Sequence, residues 1–96
     1  MRRVDVVLNA ALGQFEVSLG GKKAILTFHE RGGSLSLIHA EVPKEFRGKH
    51  IADALSAAAL DYARRQGFTV KPYCPFVAGY LKRHPEYANL VDPSFK

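Results

Sequence analysis

The chain has 96 residues, a formal net charge of +5 and an ordinary apolar content of 47%. One small domain, 1–96, is expected, and no apolar run approaches the roughly 20 residues of a membrane span. The single Cys74 excludes an internal disulfide and fits a reducing, cytoplasmic compartment, and Asp5 soon follows Arg2-Arg3 where a signal peptide would continue apolar.

Val4 to Leu8 and Phe15 to Leu19 read as two antiparallel strands separated by a turn containing Gly13; in the second, Phe15, Val17 and Leu19 alternate with Glu16 and Ser18. Gly20-Gly21 turns the chain into a third strand, Lys22 to His29, and Gly32-Gly33 into a fourth, Ser34 to Val42. Strict alternation along the fourth strand puts Leu35, Leu37, His39 and Glu41 on one face and Ser36, Ile38, Ala40 and Val42 on the other. Pro43 closes it, because proline cannot donate to a ladder.

From about Lys49 to Gln66 the period becomes helical, with a stripe of Ile51, Leu55, Ala58, Ala59 and Tyr62 and a stop at Gly67. Arg64 and Arg65 complement the negative end of that helix. Phe68 to Tyr73 is a fifth strand, parallel to the fourth because a helical crossover joins them, and ligands in such units sit at the carboxyl ends of the strands. Pro75 opens a second helix over Phe76 to His84, Pro85 ends it, and Glu86 to Lys96 is a turn or loop. The class is α/β: a five-stranded, mostly antiparallel sheet with one parallel pair and two helices.

The stretch Glu41 to Ala52, E-V-P-K-E-F-R-G-K-H-I-A, joins the fourth strand to the long helix. The amides of a helix's first turn have no intrahelical partners and carry a partial positive charge, so a turn through Gly48 flanked by Arg47 and Lys49 favours an anion. The other basic residues occur as scattered pairs, Arg2-Arg3, Lys22-Lys23, Arg64-Arg65 and Lys82-Arg83, which is the pattern of solvated faces. No nucleic-acid-binding motif accompanies them; a basic nucleic-acid-binding domain would show steeply salt-dependent binding.

Arg47-Gly48-Lys49-His50-Ile51-Ala52 resembles the acyl-CoA signature of the GNAT N-acetyltransferase superfamily, with His50 standing where the family usually has Gly. His39-Ala-Glu-Val-Pro43 and Pro72 to Tyr87, P-Y-C-P-F-V-A-G-Y-L-K-R-H-P-E-Y, are similar to a small single-domain subgroup of that family with a Cys-Pro motif after the fifth strand. The resemblance implies an acetyl-CoA-dependent acetyltransferase acting on an amine acceptor that the sequence does not identify. The coenzyme A pyrophosphate would lie on Arg47, Gly48, Lys49, His50, Ile51 and Ala52. The fourth and fifth strands would splay around the pantetheine arm, with the Val42 N–H polarising the acetyl carbonyl.

A side chain at His50 would crowd the phosphates if the backbone there needs φ > 0. Glu41 is a candidate general base or a solvent-facing strand carboxylate, and His39 a proton relay or a hydrogen-bonded strand residue. Cys74, ahead of a proline-initiated helix, is either a nucleophile that accepts the acetyl group or a small buried residue. Tyr80 falls where many members of the family place the tyrosine that protonates the leaving thiolate; otherwise it is an aromatic core anchor. His29, His39, His50 and His84 are too widely spaced for a zinc site, and no metal is expected. The alternative is a non-catalytic acyl-CoA-binding module, since the helices and strands that build an acceptor pocket in larger relatives are not read here. The chain is expected to be a monomer or weak homodimer.

Overall fold

A computed structural model describes residues 5–46 and 50–95. Five strands, β1 Val7–Asn9, β2 Gln14–Leu19, β3 Lys22–Arg31, β4 Ser34–Glu41 and β5 Thr69–Pro72, form one sheet in the order β1-β2-β3-β4-β5. The first three pairings are antiparallel and β4 with β5 is parallel. The Gly20-Gly21 and Gly32-Gly33 turns have positive φ at both glycines, which is the twist a two-residue hairpin requires. The first strand is shorter than expected and Val7 lies exposed on it, while Val4 falls outside the described residues.

Helix α1, Ile51–Gln66, crosses from β4 to β5 and stops at Gly67, whose φ of 76° lets its N–H reach back to the carbonyls of Ala63 and Arg64. Its buried face is broader than the expected stripe, because Ser56, Leu60 and Ala63 are covered as well as Ile51, Leu55 and Ala59, and α1 packs on both the sheet and α2, Pro75–Arg83. Ser56 satisfies its hydroxyl on the Ala52 carbonyl at 2.9 Å. Arg64 does more than complement the helix end: its guanidinium lies 4.5 Å from the Tyr87 ring centroid. The tail is also more ordered than a loop. Pro85–Leu90 is a 3-10 helix, after which Val91 bridges to Val70 in parallel.

One departure in β4 matters for the site. Thr27 pairs with His39 and Phe28 with Leu37, so Ile38 is an extra residue opposite β3. The bulge reverses the alternation beyond it. Leu35, Leu37 and Ala40 face the core, whereas Ile38, His39 and Glu41 are exposed, so the expected grouping of His39 and Glu41 with Leu35 and Leu37 is corrected. The core-side residues pack with Phe15, Val17, Leu26, Leu55 and Val70.

Candidate functional site

Pairing between β4 and β5 runs only from Ser34–Thr69 to Leu37–Pro72. The Cys74 N–H then donates to the Leu37 carbonyl at 2.8 Å, and the chain turns away into α2. Ile38 to Glu41 therefore continue beside β3 alone, which leaves a gap between the carboxyl ends of the two parallel strands. Pro75 sits at the first position of α2, where its missing N–H costs nothing.

Beyond the end of β4, Val42 lines a cleft of about 350 Å³ together with Phe46, His50, Ile51, Ala52, Asp53 and Phe76. Four of the residues expected to bind the cofactor, Val42, His50, Ile51 and Ala52, thus share one cleft. Arg47, Gly48 and Lys49 lie outside the described residues. Val42 also lines a second hollow of about 430 Å³ with Lys23, Ile25, Glu41 and Pro43, so Glu41 stands beside the first cleft rather than inside it.

His50 is the left-handed cap of α1, with φ 58° and ψ 30°, and is the one non-glycine residue with positive φ among those described. Such a backbone costs about 1 kcal/mol or more for a residue with a Cβ and is the conformation glycine adopts freely. The His50 side chain offers no cap to the helix; its carbonyl accepts the first intrahelical bond, from Ala54 at 3.0 Å. Among the described residues no side chain accepts from the amides of the first turn, which are the groups a helix N-terminus offers to an anion. The imidazole is largely exposed, with Nδ1 3.7 Å from Asp53 Oδ2.

Phe46, Asp53 and Phe76 also line the cleft. Phe46 is buried at the end of a 3-10 turn, Lys44–Phe46, and Phe76 is half exposed on the first turn of α2. In the sequence, the position of Phe76 directly after the Cys74-Pro75 pair, within the segment that carries the family resemblance, was the available signal. Asp53 is gripped by Arg83, whose Nη2 and Nη1 reach its two oxygens at 2.8 and 3.3 Å.

Cys74 has 0% of its surface exposed and lies within the core cluster. Tyr80 is 8% exposed, its ring stacked on His84 at 4.1 Å between centroids. Burial, with Asp53, Asp61 and Glu86 nearby, holds the Tyr80 phenol above its usual pKa against the opposing charge of Arg83, so it keeps its proton at neutral pH. His39 and Glu41 are exposed on the sheet face away from α1, and Thr27 donates to the His39 carbonyl at 3.2 Å. On that same face Glu16 accepts from Gln14 at 2.6 Å and Asn9 at 3.0 Å and lies 3.4 Å from Lys23; these contacts, the Gln14 bond foremost, hold its carboxyl below the usual range.

Among the described residues no group of three or more His, Cys, Asp or Glu side chains is placed to hold a metal ion, and no helix is long and apolar enough to cross a membrane.

In open α/β sheets, phosphorylated ligands are taken at the carboxyl ends of the strands and at the N-terminus of the helix that follows. Residues 14–90 match the family described as GCN5-related N-acetyl-transferase. Protein NATD1 of Danio rerio is 33% identical over 83 residues, covering 81% of this chain and 76% of the relative. Protein NATD1 of Gallus gallus is 35% identical over 85 residues, 83% and 77% of the two chains, and that of Homo sapiens 33% identical over 85 residues, 83% and 75%. The family match spans β2 to the end of the last 3-10 helix, and with it the parted strands, the α1 entry and the Cys-Pro segment; the chain belongs to the GCN5-related N-acetyltransferase family.

Proposed function

We propose that the chain is an acetyl-CoA-dependent N-acetyltransferase that passes the acetyl group directly to an amine. The observation that carries this reading is the meeting of two hollows at Val42: the cleft of Val42, His50, Ile51 and Ala52 on one side, and the hollow holding Glu41 on the other. In this reading the α1 amides hold the pyrophosphate, and Phe46, Phe76 and Val42 offer apolar surface to the thioester arm. The Val42 N–H polarises the acetyl carbonyl.

The acceptor amine enters from the exposed sheet face and attacks the carbonyl carbon, the C–S bond breaks, and Glu41, directly or through water, takes the proton the amine loses. In this reading His39, exposed two residues before Glu41, passes that proton to solvent. Tyr80 keeps its phenolic proton at neutral pH, as a donor to the leaving thiolate must. The complete burial of Cys74 favours direct transfer over an acetyl-Cys74 intermediate, because the thiol presents no surface to a thioester. The same burial, together with a Glu41 hollow that is wide open, favours as a second reading an acyl-CoA-binding module without turnover.

Isothermal titration with acetyl-CoA and coenzyme A tests the binding half, with saturable binding expected below millimolar ligand and its absence overturning both readings. For the chemistry, Glu41→Gln is expected to lower kcat/KM by about 100-fold while leaving coenzyme A affinity unchanged. An unaltered chain that binds acetyl-CoA yet acetylates no amine in a mixed panel of primary amines and lysine peptides is the module.

A further inference from the structure

The cleft has a carboxylate in its wall where an anion is expected. Asp53 occupies the third position of α1, among the amides that the proposed function assigns to the coenzyme A pyrophosphate, and lines the same cleft as His50 and Ala52. Left bare, it would oppose any phosphorylated ligand at short range. It is not bare. Arg83, thirty residues on in the last turn of α2, forks both of its oxygens at 2.8 and 3.3 Å, and the fork is itself anchored by Nε donating to the Gly79 carbonyl at 3.3 Å. The guanidinium carbon lies 5.9 Å from the Tyr80 ring. The Nδ1 of His50 lies 3.7 Å from Asp53 Oδ2, the oxygen that also accepts from Arg83 Nη1. An ion pair this exposed adds little to folding stability, so its main consequence is the charge it leaves on the cleft wall.

We propose that Arg83 is a positioning residue for the anionic acyl carrier: by pairing with Asp53 it holds that carboxylate toward α2 and cancels its charge, so that the first turn of α1 presents amides and not a negative side chain to the pyrophosphate. The inference rests on reading the cleft as the coenzyme A site.

Its test compares coenzyme A affinity for the unaltered chain, Arg83→Met, Asp53→Asn and the double variant, at low salt and in about 0.3 M NaCl, where screening is strong. Arg83→Met is expected to bind about fivefold more weakly at low salt, with the loss shrinking at high salt. Asp53→Asn breaks the same pair but removes the offending charge, so it should bind at least as tightly as the unaltered chain, and the double variant should return to within about twofold of it. A purely structural pair predicts the opposite, that both single variants weaken binding alike and the double rescues nothing. That pattern, or an Arg83→Met chain that binds as well as the original at low salt, overturns the inference while the coenzyme A reading stands. If the unaltered chain binds no coenzyme A, both fall together.

Discussion

The two halves of β4 have the same neighbour on one side and different fates on the other. From Ser34 to Leu37 the strand is paired with both β3 and β5, and Leu35 and Leu37 are completely buried. From Ile38 to Glu41 it keeps β3 alone, a bulge has reversed its faces, and only Ala40 still points inward. The first half holds the molecule together; the second borders the cleft and carries His39 and Glu41 in the open. The parallel pairing thus ends after four residues at Leu37, whose carbonyl accepts from the Cys74 N–H, and the chain beyond β4 reaches the cleft at Val42.

The contrast can be broken most sharply at Leu37. Leu37→Ala removes a fully buried side chain where β4 is clamped on both sides and is expected to cost about 2–5 kcal/mol, read as a lower denaturant midpoint with unchanged slope. Ile38→Ser, one residue further and 45% exposed, should stay within about 0.5 kcal/mol of the original. Equal losses at the two positions would show that the bulged half is as structural as the first.

Cys74 lies at the parting point and separates packing from chemistry. Cys74→Ala should lower stability by about 1 kcal/mol through the small void it leaves, and should retain most of the acetyl-transfer rate. An acetylated Cys74 peptide, or a rate lowered by more than about 100-fold in a folded Cys74→Ala chain, would instead place the thiol in the reaction.

His50 sharpens the comparison from the helix side. Glycine adopts its left-handed backbone without strain, so His50→Gly should leave the melting temperature unchanged or raised by a few degrees, and removal of the imidazole from the cleft wall should tighten coenzyme A binding by about 0.5–1 kcal/mol, a few-fold in Kd. Weaker binding of that variant in titration would mean that the imidazole, beside Asp53, contributes a contact to the ligand.

Much of this architecture is local and therefore legible in the residues. Paired glycines dictate the two hairpins, the 3.6-residue period and Gly67 delimit α1, Pro75 opens α2, and a strand, helix, strand order makes β4 and β5 parallel. The resemblance carried by Arg47 to Ala52 and by the Cys-Pro segment also pointed to the family. What was not legible depended on residues far apart in the chain. Alternation read along β4 misassigned His39 and Glu41 because a bulge is fixed by the register against β3, and one extra residue reverses every side chain after it. Phe46 and Phe76 meet in one cleft, and Arg83 finds Asp53, only once α1 and α2 pack side by side. The burial of Cys74 follows from the turn that ends β5 under the core, and no pattern around the residue announces it. The sequence by itself determined the five strands, the two α-helices and their order, since these follow from backbone preference and periodicity. The tertiary structure alone decided which side chains share the cleft and with what charge, because packing sets those distances.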